Sequence, residues 1–218
     1  MKKTLAAAAL GAGLMFAGTA NAAPVVDGIT TVEVTVDLGG VGIAPGLIGS
    51  ASLQDSDDDA LVVGFPITDG DLDADTLAGT IEHEGSGLTL AANGTTVELQ
   101  DFIIDTTSST LSGIVSIAGG ASLGRVDIFT FDLTGLTAGE ITDVENPVIS
   151  LLLTSAAAGA LADALAIPAL SGLAGAEFGL AATGPVLGDV GGEIPLPGAA
   201  ILFATGAAAF AARRRAKA

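Results

Sequence analysis

From Thr31 to Leu38 the chain reads TVEVTVDL, with Val32, Val34, Val36 and Leu38 alternating with Thr31, Glu33, Thr35 and Asp37. A period of two predicts a strand with one buried face. The glycine-rich stretch Gly39 to Ser50, which contains Pro45, predicts a loop. A second strand is expected over Leu61 to Phe65, between an acidic run at Asp55 to Asp59 and an acidic turn at Asp69 to Asp75. Short strands follow over Gly79 to Glu82 and Gly87 to Ala91, and Asn93-Gly94 marks a type I′ hairpin, whose two central residues both need positive φ. The return strand is Thr95 to Leu99, continued by Phe102 to Ile104. Leu111 to Ile117, Arg125 to Leu133 and the apolar run Val148 to Leu153 complete the strand candidates.

One segment breaks this pattern. Ser155 to Ala166 is rich in alanine and leucine, with Ser155 as a candidate cap and Pro168 beyond its end, and predicts a helix. Gly172 to Gly192 is glycine-rich and poorly periodic, and its last part, Gly184 to Glu193, reads as a spacer. Short strands at close spacing with glycine turns predict an all-β domain, a β-sandwich or barrel-like fold carrying one short helix.

The two ends have a different character. Lys2 and Lys3 precede the apolar run Thr4 to Gly18, and Ala20-Asn21-Ala22 fits the small-residue cleavage pattern. This predicts a signal peptide over 1–22 and a mature chain beginning at Ala23. Near the other end stands Pro195-Leu196-Pro197, followed by uncharged residues to Ala212 and a basic cluster at Arg213, Arg214, Arg215 and Lys217. As a helix, Ile194 to Ala212 would be about 28 Å long, enough for a thin bilayer, with the arginines held on the cytoplasmic side. The expected division is thus a leader (1–22), a β-rich extracellular domain (23–183), a spacer (184–193) and a C-terminal transmembrane anchor (194–218).

Proline motif, short apolar helix and terminal basic cluster together resemble the PEP-CTERM class of bacterial sorting tails, in its VPLPA-like variant. The resemblance implies recognition of Pro195, Leu196 and Pro197 by an exosortase, a membrane-embedded cysteine transpeptidase, and release of the body from its helix. It also implies a setting in extracellular polysaccharide or biofilm. Leu196 stands where the commonest form of the motif has glutamate.

Charge narrows the partners. All 25 carboxylates lie between Ala23 and Glu193, where Arg125 is the only base, so the body carries −24 against −18 for the whole chain. This disfavours nucleic acid and anionic membrane surfaces and suits a strongly solvated extracellular protein. There is no cysteine, so an exported body must be held by its core, by ions or by assembly. With no Trp or Tyr and five Phe in the body, that core is built from Val, Ile, Leu and Ala.

The segment Phe65 to Gly113 resembles a bacterial secreted module through Gly79, Ile81, His83, Gly85 and Leu88, then Val97, Leu99, Phe102 and Asp105-Thr106. The run ISLLLTSAAAGAL fits the module's C-terminal part. The module is loosely similar to HtaA-type domains of haem-uptake systems. The similarity implies a haem-like ligand, but HtaA-type haem binding relies on tyrosine, which this chain lacks.

Candidate chemistry is sparse. His83, the only histidine, is either a metal or haem ligand or a strand or turn histidine between the solvated Glu82 and Glu84. Asp69, Asp71, Asp73 and Asp75 recur at every second residue and are the candidate calcium ligands, since alternate carboxylates on an extended turn can converge on one ion. The EF-hand pattern fails, with Ala74 at its sixth position and Thr80 at its twelfth. With one histidine, no cysteine and no lysine in the body, the usual activated-nucleophile sites are not available, and no enzyme is expected. The leading expectation is an exported structural protein of the cell surface or extracellular matrix, tethered at its C-terminus and either retained by that anchor or processed by an exosortase. The alternative is an extracellular module that binds calcium or a haem-like ligand.

Overall fold

A computed structural model describes residues 22–55 and 60–189. All of the expected leader but Ala22, together with the sorting motif Pro195 to Pro197 and the basic cluster at Arg213, Arg214, Arg215 and Lys217, lies outside these residues. Among the described residues no helix is long and apolar enough to cross a membrane.

The chain is mostly β, as expected. Its strands are β1 (Ala22–Val34), β2 (Ala44–Gly49), β3 (Ser52–Leu53), β4 (Leu61–Pro66), β5 (Asp69–Asp73) and β6 (Gly79–Ala92). They continue with β7 (Thr95–Asp105), β8 (Thr110–Ile117), β9 (Ser122–Thr130), β10 (Ile149–Leu153) and β11 (Glu177–Leu187). Helix α1 (Ala138–Ile141) precedes β10, and helix α2 (Ser155–Ala164) follows it.

All pairings are antiparallel and form one sheet. The path β5-β6-β7-β8-β9-β10-β11 returns to β1, which pairs with β11 on one edge and with β4 and β5 on the other. The sheet therefore closes into a barrel, which removes most of the free edge of an open sheet. Strands β4 and β5 run along β1 in one continuous register (Ile29 opposite Pro66, Ala23 opposite Leu72), joined by the Ile67 N–H to Gly28 carbonyl bond. Strand β2 pairs with the far half of β6 and β3 with β4, so this segment fills the gap where β4 and β6 diverge.

The seam between first and last strands depends on Gly28. It sits at φ +131°, and a Cβ there would collide with the Gly184 carbonyl oxygen on β11. Seam pairing runs from Val25 opposite Leu187 to Val34 opposite Gly179. Strand β11 thus extends over Gly184 to Leu187, where composition reads as a spacer, because long-range pairing and not local periodicity makes it a strand.

Side-chain alternation fills the interior. Val97, Leu99, Phe102 and Ile104 of β7 stand beside their register partners Leu90, Leu88, His83 and Ile81 of β6, and all eight are buried. The phase changes between His83 and Gly87 and again at Asp101, where β-bulges interrupt both ladders. Gly85 (φ 72°) and Asp101 (φ 52°) take the left-handed conformations, and the Asp101 carboxylate accepts from the Gly85 N–H at 2.8 Å. This paired irregularity joins the two expected short strands into the single β6.

Helix α2 begins one residue earlier in its capping than expected. Thr154, not Ser155, is the N-cap, accepting from the Ala157 N–H, and its hydroxyl donates to the Asp127 carbonyl of β9 at 2.7 Å. Ala157, Ala158, Leu161 and Ala162 turn into the core, where small side chains allow close approach to the sheet. The predicted hairpin at Asn93-Gly94 forms with positive φ at both residues, and the Asn93 side chain donates to the Leu165 carbonyl at the helix end. One rim of the barrel is thereby tied to its helix. At the opposite rim Leu187, the outer end of β11, pairs with Val25, and Ala22, the outer end of β1, pairs with Asp73.

Candidate functional site

His83 lies on β6 opposite Phe102 of β7, and the bulge just after it leaves its side chain facing inward. It is 1% exposed. Its Nε2 is 2.8 Å from Thr30 Oγ1 on β1, and the Thr30 hydroxyl donates to Thr183 Oγ1 on β11, also at 2.8 Å. Because Thr30 gives its proton to Thr183, it accepts from Nε2–H, and the ring is the neutral tautomer with a bare Nδ1. Among the described residues Nδ1 is a buried polar side-chain atom without a partner. Burial pushes the His83 pKa down to about 4, an effect only partly opposed by the Phe102 backbone.

The polar chain crosses an aromatic interior. Phe65 meets the His83 ring edge-on, with centroids 6.5 Å apart, and meets Phe102 edge-on at 5.3 Å. Phe129 and Phe178 pack at 5.1 Å. Gly113 makes room for this cluster, since a Cβ there would stand 2.8 Å from Phe102 Cδ1. Two cavities of about 30 Å³ each remain, one beside His83 and the phenylalanines, the other beside Thr183, Phe131 and Ile141. That space suits about one water molecule, whereas organic ligands occupy roughly 300–1,000 Å³. A haem therefore does not fit around His83, whose Nε2 is already engaged. In this arrangement His83 is a core residue of a strand.

The acidic residues lie outside. Asp69 and Asp71 are exposed on the outer face of β5, and the Asp69 carboxylate accepts from the Gly70 N–H. Asp73 closes the next turn by accepting from the N–H groups of Asp75 and Thr76 and from the Thr76 hydroxyl, and the Thr76 bonds hold its pKa below the usual value. Asp75 is exposed. The four carboxylates are thus spread along a strand and its turn. Among the described residues no group of three or more His, Asp or Glu side chains is placed to hold a metal ion. Asp57, Asp58 and Asp59 lie outside the described residues.

One feature has no signature in the sequence. The loop after α1 crosses the outer face of β1, where Thr31 donates to the Val144 carbonyl at 2.8 Å. Between this loop and β4 lies a cleft of about 820 Å³ lined by Glu33, Asp55, Glu145, Gln54 and Asn146. It is polar and, unlike the interior, large enough for a ligand.

Fold and site together define a closed antiparallel β-barrel with a filled apolar interior, a helix at one rim and an anionic exterior. No protein-family model and no curated protein matches the sequence. Among solved structures, the C-terminal domain of HtaA from Corynebacterium glutamicum is similar, with a TM-score of 0.48 and 14% identity over 76% of this chain and 99% of that one.

Proposed function

We propose that this chain is an exported, non-catalytic protein of the bacterial cell surface or extracellular matrix. It is tethered by its C-terminal segment and released by an exosortase-type enzyme that reads Pro195, Leu196 and Pro197. The supporting observation is the strict separation of charge from core. Among the described residues no Asp or Glu is buried, while the interior is filled by aliphatic and phenylalanine side chains. What such a domain offers to a partner is its hydrated anionic surface, which suits a polysaccharide matrix bridged by cations. Cell fractionation with intact-mass measurement of the chain tests this. The expected chain is found at the surface or in the medium, starts at Ala23 and has lost the basic cluster. A cytoplasmic chain that retains Met1 to Ala218 overturns the reading.

The ligand-binding alternative has one observation in its favour, the outer cleft beside Glu33, Asp55 and Glu145. Its three carboxylates favour a cationic ligand. Calorimetric titration with calcium separates the two readings.

A further inference from the structure

The expected leader-cleavage bond, Ala22–Ala23, lies within a strand. Strand β1 begins at Ala22, with Ala22 opposite Asp73, Ala23 opposite Leu72 and Pro24 opposite Asp71 on β5. On the other edge the Gly188 N–H donates to the Pro24 carbonyl at 2.8 Å, and Val25 pairs with Leu187. Ala23 and Val25 are each 3% exposed and face the core. The residues just after the bond are therefore held between the two strands that close the barrel.

A protease that takes its substrate as an extended strand must itself supply the backbone partners of that strand. Residues 22–25 cannot be paired with β5 and β11 and lie in a protease cleft at once. We infer that barrel closure gates leader removal: Ala22–Ala23 is cut only while β1 is unseated, and a precursor that folds first keeps its leader. This rests on the export reading above. Cutting leaves an α-ammonium on Ala23, opposite Leu72.

The test uses the purified full-length precursor and a detergent-solubilised bacterial signal peptidase. Three substrates are compared: the folded wild type, the wild type diluted from denaturant directly into protease, and a Gly179→Val precursor. A Cβ at Gly179 would collide with the Glu33 carbonyl at the far end of the β1–β11 seam, so this variant opens the barrel without touching the cleavage region. Products are identified by N-terminal sequencing. Folded wild type is expected to be cut at least about tenfold more slowly than the other two, since cleavage follows the open population. Equal rates for all three overturn the gate while leaving the export reading intact. Failure to cut Ala22–Ala23 in any substrate overturns the leader assignment, and the gate with it.

Discussion

Acid should weaken this barrel through one buried ring, and the size of the effect follows from where that ring sits. His83 is fully enclosed, Nε2–H is committed to Thr30, and no carboxylate lines its cavity. Nδ1 has no hydrogen-bond partner, and the Phe102 backbone offsets the burial of an imidazolium only in part. Folding thus holds the pKa at about 4, against 6.5 for a solvated histidine. Since the folded value is depressed, the unfolded chain takes up the proton first, and stability falls as pH drops below about 6.5. With a gap of about 2.5 units at about 1.4 kcal/mol each, the loss relative to neutral pH reaches about 2 kcal/mol by pH 5 and about 3 kcal/mol by pH 4. His83→Leu removes the titration and the unpaired nitrogen together, while Thr30 keeps Thr183 as its partner. Urea unfolding of both chains between pH 7 and pH 4.5 reads the difference. The variant should lie within about 1 kcal/mol of wild type at pH 7 and gain about 2 kcal/mol on it by pH 5. Relief of the −24 body charge is common to both chains and cancels. Asp73, Asp105, Asp132 and Glu140 have pKa values lowered by hydrogen bonds, so their own stabilising contributions are lost only at lower pH. If the two pH profiles run parallel, His83 is not buried and neutral as described.

Other substitutions probe separate parts of the fold. Gly28→Ala forces a strained φ and a clash with the Gly184 carbonyl, and should cost about 2–4 kcal/mol in chemical denaturation by breaking the seam. Gly159→Ala, in α2 with open space around it, should instead raise stability by about 0.5–1 kcal/mol in the same assay. Thr154→Ala removes both the helix cap and the tie to the Asp127 carbonyl, and should cost about 1–2 kcal/mol, with faster amide exchange in the first turn of α2. Calcium titration should show no site tighter than about 0.1 mM, because Asp69, Asp71, Asp73 and Asp75 do not converge. Micromolar binding that is lost in Asp71→Asn would restore the acidic turn as a calcium site.

Local signals carried much of the fold. Asn93-Gly94 demands the turn it makes, and the alternation in Val97 and Leu99 places both inside. The capping box at Thr137 and Glu140 was also present as a T-x-x-E pattern, but its helix is a single turn without a periodic run to mark it. Non-local pairing was hidden. The TVEVTVDL pattern locates a strand but not its start at Ala22, since the first half of β1 is a strand only because β5 and β11 flank it. For the same reason Gly184 to Leu187 reads as a spacer and pairs as a strand. His83 was ambiguous because the bulge after it resets the alternation, so the solvated Glu82 and Glu84 beside it say nothing about the direction of the ring.

The same topology gives the two chain ends opposite relations to folding. At the first end the proposed cleavage bond is paired with β5, beside the seam that closes the barrel, so processing there would compete with the fold. At the other end β11 stops at Leu187, and Pro195 comes six positions after Asp189, the last described residue of that strand's exit. Cutting near Pro195 breaks none of the described ladder pairs. On the reading proposed above, a leader removed before closure and a tail removed after it would keep the chain tethered while the barrel closes and release it already folded. That order would matter for a domain without disulfides, whose stability rests on a core crossed by a single titrating ring.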